Sequence, residues 1–132
     1  MKQEDEELLL QDLCARLPYN PMVEYKGKNY NVLGITHERL VLCKPFMSHT
    51  LDEHPLVKEV KPYLFPLSTM TDEQSKELEE IDPEFYSLIC ENGDICVSMD
   101  VRGYDWLNKN QLDYRGLIGK GLALDATGLK IY

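Results

Sequence analysis

Four charged side chains near the C-terminus have the types needed for acid–base or phosphate chemistry. Charged groups beside irregular backbone are where active sites often form. They make an enzyme, such as a small hydrolase or a nucleotide-handling protein, one hypothesis for this chain. That hypothesis requires the four side chains to converge on one concave pocket. The four residues are Asp105, Asp113, Arg115 and Lys120.

The surrounding stretch, DYRGLIGKGLALDATGLKIY, does not match a phosphate-binding motif. A P-loop needs G-x-x-x-x-G-K-[ST], but Gly119-Lys120 is followed by Gly121, and Tyr114 stands where the first glycine should be. G-x-G-x-x-G also fails, because Leu124 occupies the position of its third glycine. The stretch is therefore predicted to bind no phosphate.

We expect this tail to pack on the domain, because it carries more apolar side chains than a mobile tail would need. Its glycines are expected to allow turns with positive φ, at Gly116, Gly119 and Gly121. The apolar side chains are Leu117, Ile118, Leu122, Leu124 and Ile131.

Histidine and carboxylate side chains cluster in SHTLDEH, at His49, Asp52, Glu53 and His54. These side chains are suitable metal ligands, but their spacing matches no named site, and a solvated acidic loop is favoured. The chain also lacks a nucleophile elbow and H-E-x-x-H. No catalytic residue, metal ligand or cofactor is therefore predicted.

Aromatic residues supply the first candidates for binding. In KPYLFPL, Tyr63 and Phe65, together with Tyr19, could stack on a base or grip a proline-rich peptide, although such aromatics more often lie across a core. The full set of predicted binding residues is Tyr63, Phe65, Trp106, Asp113, Arg115 and Lys120. Asp113 and Arg115 are also expected to fix the bend after the third helix.

Composition describes one soluble globular domain of 132 residues, with 43% hydrophobic and 28% charged residues. No window approaches eighteen consecutive apolar residues and no export signal is evident, so we expect a cytoplasmic protein that does not span a membrane. The net charge of −9 disfavours direct nucleic-acid binding. Residues 1–99 carry a net charge of −10 and residues 100–132 a net charge of +1.

The four cysteines, Cys14, Cys43, Cys90 and Cys96, are expected to be free thiols that pack as small core residues. In CENGDIC, a two-residue turn at Asn92-Gly93 would place Cys90 and Cys96 on opposite faces of a hairpin. A three-residue loop would instead place them opposite each other.

Three helices are predicted from the sequence. EDEELLLQDLCARL should form an amphipathic helix that buries Leu10, Leu13, Cys14 and Leu17. TDEQSKELEEI should begin with a capping box of Thr71 and Gln74 and should bury Leu78 and Ile81. A third helix is expected near residues 101–110, with Val101, Tyr104 and Leu107 on one face and Trp106 beside it.

The sequence pattern of residues 22–44 predicts a meander of three consecutive antiparallel strands. A turn at Gly27-Lys28 would pair Tyr25 with Tyr30 and Val23 with Val32, and a turn at His37-Glu38 would pair Ile35 with Leu40 and Leu33 with Leu42. Residues 45–70 are expected to be irregular, and FYSLICENGDICVSM to form a hairpin. Together these elements predict a single α+β domain over residues 1–132, with an antiparallel sheet packed against about three helices.

Two motifs, KPYLFPLSTMTDEQ and DWLNKNQLDYRGLIGKGLALDA, with the short first helix ending LCARLPY, cover roughly half the chain. The set resembles a group of short uncharacterised proteins from gut anaerobic bacteria, often encoded in prophage or mobile-element regions. The chain departs from that group at Gln111-Leu112, where the group has His-Phe, and at Gly119. The resemblance implies an accessory protein of phage or mobile-element origin, with no assigned reaction, ligand or partner.

The leading hypothesis is a small non-enzymatic protein that binds another protein, since no catalytic motif is present and the main motifs are aromatic and apolar. The enzyme described above is the first alternative. The second is an acidic mimic of nucleic acid that inhibits a host or defence protein. It requires the acids of residues 1–99 to line one contiguous surface.

Overall fold

The computed structural model describes residues 2–36, 39–44, 54–81 and 101–132. These residues form a five-stranded sheet in the order β3-β2-β1-β4-β5, and three α-helices, which confirms the α+β class. The helices are α1 (Gln3–Arg16), α2 (Asp72–Ile81) and α3 (Val101–Lys109). The strands are β1 (Met22–Tyr25), β2 (Lys28–Thr36), β3 (Arg39–Cys43), β4 (Lys61–Leu64) and β5 (Leu124–Asp125).

The first hairpin of the meander forms with a register different from the predicted one. Its turn lies at Lys26-Gly27, so that Tyr25 pairs with Lys28 and Val23 pairs with Tyr30. Lys26 and Gly27 have φ of 51° and 77°, the left-handed pair of a type I′ turn, which matches the twist of the two strands. Since each pairing partner moves by two residues, every side chain keeps its predicted face of the sheet.

The second hairpin agrees with the prediction beside its turn and departs from it further along. Ile35 pairs with Leu40 as predicted, but a bulge between Val32 and Gly34 makes Leu42 pair with Val32 instead of Leu33. Leu33 is consequently exposed, whereas Val32 and Leu42 are buried. The predicted turn residues, His37 and Glu38, lie outside the described residues.

The prediction that residues 45–70 are irregular is wrong at Lys61–Leu64, which form β4 between β1 and β5. The prolines that exclude a helix there bias their neighbours toward extended backbone, and a strand has that same conformation. Strand β5 comes from the C-terminal tail and runs parallel to β4, while the other strand pairs are antiparallel. The predicted hairpin at Asn92-Gly93, with Cys90 and Cys96, lies outside the described residues.

The buried face of helix α1 overlaps the predicted one, because Leu13 is buried and Leu10 and Leu17 are partly buried against the core. Leu9 and Leu13 are fully buried together with the charged side chains of Asp12 and Arg16. Cys14 is exposed, which corrects its assignment to the core, whereas Cys43 is buried as predicted. The prediction placed only apolar side chains inside and so missed a buried polar pair.

Helix α2 begins with the predicted capping box. The Thr71 Oγ1 accepts from the Gln74 N–H at 3.1 Å, and the Gln74 Oε1 accepts from the Thr71 N–H at 3.0 Å. Leu78 is fully buried and Ile81 is partly buried. Helix α3 forms where it was predicted and packs against both α1 and α2. No helix in the described part of the chain is long and apolar enough to cross a membrane.

The C-terminal tail packs on the domain, as predicted. Leu117 and Leu122 enter the main core between α1 and the sheet, and Ala126 enters a smaller cluster with Met22 and Tyr63. Gly116 and Gly121 have φ of 73° and 75°, as expected, but Gly119 is not among the positive-φ glycines, which corrects the prediction for that residue.

A single hydroxyl group joins the end of the chain to two central strands. The Tyr132 hydroxyl donates to the Tyr63 carbonyl at 2.9 Å and accepts from the Met22 N–H at 2.9 Å. About half of the Tyr132 side chain remains exposed, but its hydroxyl is desolvated between β1 and β4. This desolvation raises the pKa of Tyr132 to about 12.

We predict that deleting residues 113–132 unfolds or aggregates the protein, because the deletion removes β5 and several core side chains. The single change Leu117→Ala should lower the free energy of unfolding by about 2–5 kcal/mol, as truncation of a fully buried leucine does. Urea denaturation measures this loss. Leu129→Ala is the control, since Leu129 is 52% exposed and its truncation should change stability by less than about 0.5 kcal/mol. A deleted chain that melted at the temperature of the full chain would contradict the prediction.

We also predict that stability falls between about pH 10 and about pH 12, in part because of Tyr132. In this window the unfolded tyrosine ionises while the folded one stays protonated, so rising pH favours the unfolded state. Tyr132→Phe should be less stable at neutral pH, because it leaves the Met22 N–H without its acceptor. The variant should also lose stability less steeply over this window. Urea midpoints measured across the window test this, and identical slopes for the two proteins would disprove it.

Candidate functional site

The last two turns of α1 carry a buried ion pair. Asp12 and Arg16 stand four residues apart, so their side chains lie on the same face of the helix. The Arg16 Nε donates to the Asp12 Oδ2 at 2.9 Å, and both side chains are fully buried. The Arg16 Nη2 also donates to the Leu112 carbonyl at 2.7 Å. The pair therefore ties α1 to the chain segment that follows α3.

Arg115 supplies a second guanidinium to the same carboxylate. Its Nη1 donates to the Asp12 Oδ1 at 2.9 Å, so each oxygen of Asp12 accepts from a different arginine. The Tyr114 ring lies 4.5 Å from the Arg115 Cζ and 5.4 Å from the Arg16 Cζ, within range of cation–π attraction. The carboxylate and the ring together hold both guanidiniums in place.

Asp113 organises the turn that follows. Its two carboxylate oxygens accept from the backbone N–H groups of Leu117 and Ile118, each at 2.9 Å. Its side chain is buried, and Gly116, between the acceptor and these donors, has a positive φ. Asp113 thus makes the contacts expected of a residue that fixes this bend, whereas Arg115 bonds to α1.

An open cleft of about 440 Å³ lies beside this cluster. Its aromatic wall is formed by Tyr104 and Tyr114, whose ring centroids are 5.4 Å apart. The Tyr114 hydroxyl donates to the Asn108 Oδ1 at 2.9 Å. The lining residues are Ala15, Tyr104, Asn108, Tyr114 and Arg115. These lining residues, taken from the described part of the chain, offer ring faces and hydrogen-bond donors, and none of them is a carboxylate that could act as a general base.

Of the six predicted binding residues, Arg115 lines this cleft. Tyr63 and Trp106 are 7% and 4% exposed and belong to the core. The Tyr63 hydroxyl donates to the Asn29 Oδ1 at 2.6 Å, and burial, with a smaller contribution from Glu24, raises the pKa of Tyr63. Phe65 packs against the ring of Tyr132, with centroids 5.9 Å apart.

The four residues of the enzyme hypothesis do not meet in this cleft. Arg115 lines it, but Asp105, Asp113 and Lys120 are not among its lining residues. Asp105 and Lys120 are exposed, and Asp113 is committed to backbone N–H groups.

Sequence reasoning missed most of the residues that build the site. One available signal was the spacing of Asp12 and Arg16, an acid and a base four residues apart in a helix with many apolar residues. A second signal was the motif DWLNKNQLDYRG, which contains Asn108 and Tyr114 as well as Arg115. The missed lining residues are Ala15, Tyr104, Asn108 and Tyr114.

No protein-family model, curated protein or solved structure matches this chain. Among the described residues, no group of three or more His, Cys, Asp or Glu side chains is placed to hold a metal ion. The ligand candidates His49, Asp52 and Glu53 lie outside those residues.

We predict that Asp12→Asn lowers the free energy of unfolding by about 3–5 kcal/mol, because it leaves two guanidiniums without their shared carboxylate. Urea denaturation of the full chain measures the loss. Glu7→Gln, on the exposed side of the same helix, removes the same charge and should change stability by less than about 0.5 kcal/mol. A loss for Asp12→Asn no larger than for Glu7→Gln would show that the cluster does not hold the fold together.

Proposed function

We propose that this protein acts by binding another protein and that the cleft beside α1 and α3 belongs to the contact surface. The composition of the cleft carries the proposal: two tyrosines and an arginine surround an open volume of about 440 Å³. Tyrosine and arginine are enriched among the residues that contribute most to protein–protein binding, because they combine large contact area with directed hydrogen bonds.

The side chains of the cleft are held in place by their neighbours, which supports the proposal. Asp12 holds the Arg115 guanidinium, while Tyr114 is held by Tyr104 on its ring and by Asn108 on its hydroxyl. Side chains that are already fixed lose little conformational entropy when a partner docks, so more of the contact energy appears as affinity.

The proposed setting is a bacterial cytoplasm, where the protein acts as an accessory protein of phage or mobile-element origin. The support is the resemblance carried by its two motifs. Of the described residues that line the cleft, Asn108, Tyr114 and Arg115 lie within the second of these motifs, DWLNKNQLDYRG. The resemblance and the cleft therefore involve the same part of the chain.

Site-specific photocrosslinking tests the proposal in cells that carry the gene. A photoreactive phenylalanine analogue at position 104 replaces one ring of the cleft with another, and the same analogue at the exposed Leu129 is the matched control. We expect a covalent adduct with a second protein from position 104 and not from position 129. The change Ala15→Trp, which fills the cleft, should abolish the adduct.

Two results would contradict the proposal. Adducts of equal yield from both positions would mean that the cleft is not the contact surface. Turnover of a hydrolase or nucleotide substrate by the purified protein, lost in Ala15→Trp, would favour the enzyme hypothesis instead.

A further inference from the structure

The cluster beside the cleft holds more positive than negative charge. Asp12 is paired with both Arg16 and Arg115, and no second carboxylate of the described residues pairs with either guanidinium. Asp113, close by in the chain, uses both of its oxygens on the backbone N–H groups of the following turn. One cationic charge of the cluster is therefore not matched by a paired carboxylate.

This excess charge reaches the surface at Arg115. Arg16 is fully buried, whereas Arg115 is 18% exposed and lines the cleft. A guanidinium carries five N–H donors in a planar fork, and Arg115 uses one of its nitrogens on Asp12. In the described part of the chain, its other nitrogens have no acceptor, so they remain for a ligand.

A second donor lies in the same cleft. The Asn108 Oδ1 accepts from the Tyr114 hydroxyl, which leaves the side-chain amide N–H₂ of Asn108 as its donor group. This amide has no acceptor among the described residues. Both residues line the cleft together with the two tyrosine rings, and a guanidinium binds carboxylate or phosphate groups through charge-assisted hydrogen bonds.

We infer that the cleft binds its protein partner through one anionic side chain, a carboxylate or a phosphorylated hydroxyl, which Arg115 and Asn108 hold through hydrogen bonds. The inference rests on the protein-binding function proposed above. The cleft volume of about 440 Å³ exceeds that of a single anion, so the residues that flank the anionic group have room beside Tyr104 and Tyr114. The net charge of −9 disfavours binding of a polyanion such as nucleic acid, whereas the guanidinium of Arg115 can bind a single anionic group.

Titration of the ¹⁵N-labelled full chain, followed by NMR, tests the inference. The probes are inorganic phosphate and three capped tripeptides, Gly-Glu-Gly, Gly-phosphoserine-Gly and Gly-Gln-Gly. We expect the glutamate or phosphoserine peptide to shift the signals of Asn108, Tyr114 and Arg115, and to bind more tightly than phosphate alone. The glutamine peptide should cause no shift.

Arg115→Gln should weaken binding of the anionic peptide by about 10- to 100-fold, the effect of losing a charge-assisted hydrogen bond. The variant still contains the Asp12–Arg16 ion pair, in which one negative charge balances one positive charge. It should therefore stay folded, and its amide NMR spectrum will show this. Lys120→Gln removes the same charge from an exposed residue that does not line the cleft, and should leave binding unchanged. Arg115→Lys should weaken binding by an amount between the effects of Arg115→Gln and Lys120→Gln, because it keeps the positive charge and loses the planar guanidinium.

Four outcomes would overturn the inference. They are the absence of binding by any anionic probe, anion-induced shifts centred away from the cleft, equal weakening by Arg115→Gln and Lys120→Gln, and phosphate binding as tight as that of either anionic peptide. The last would identify a free anion as the ligand. If position 104 cross-links to a protein and no anionic probe binds, the inference fails while the proposed function stands. If the anionic peptides bind and position 104 yields no protein adduct, the proposed function fails and the cleft remains an anion site.

Discussion

The structure depends on one buried carboxylate, that of Asp12, shared between two arginines. Removing Asp12 and Arg16 from water costs several kcal/mol for each fully buried ion, and only close hydrogen bonds compensate for that cost. Asp12 supplies both oxygens at 2.9 Å, the Leu112 carbonyl accepts from Arg16, and Tyr114 lies against both guanidiniums. The fold can bury these groups only if α1 and the segment after α3 keep their relative positions.

That segment also connects the other parts of the molecule. The Phe65 N–H donates to the Gln111 carbonyl, and the Phe65 carbonyl accepts from the Asp113 N–H, which extends β4 beyond its last residue. The Gln111 side chain donates to the carbonyl of Tyr19, in the short 3-10 turn that follows α1. From Asp113 the chain turns and returns to the sheet as β5. The ion-pair cluster, the sheet and the cleft are therefore coupled through a few residues of backbone.

The same cluster relates stability to the proposed function. A buried ion pair often contributes no more to stability than apolar side chains of the same volume would, so stability alone does not account for two arginines on one carboxylate. Arg115 bonds to a buried carboxylate and lines the cleft, so under the proposed function its position is determined before an anion binds.

The sequence by itself determined the features that arise between near neighbours. The capping box of Thr71 and Gln74, the faces of the meander strands and the apolar packing of the tail depend on local hydrogen bonds or on hydrophobic pattern. The observed strand registers differ from the predicted ones because the first turn lies one residue earlier and a bulge forms at Leu33. Several turn positions satisfy the same alternation of inward and outward side chains, so the pattern alone does not select one. Tertiary structure alone decided the burial of Asp12 and its bond to Arg115, 103 residues away, and with them the cleft. A polar residue on a helix predicts solvent exposure unless a partner neutralises it, and a partner so distant in the chain is identified only once the chain has folded.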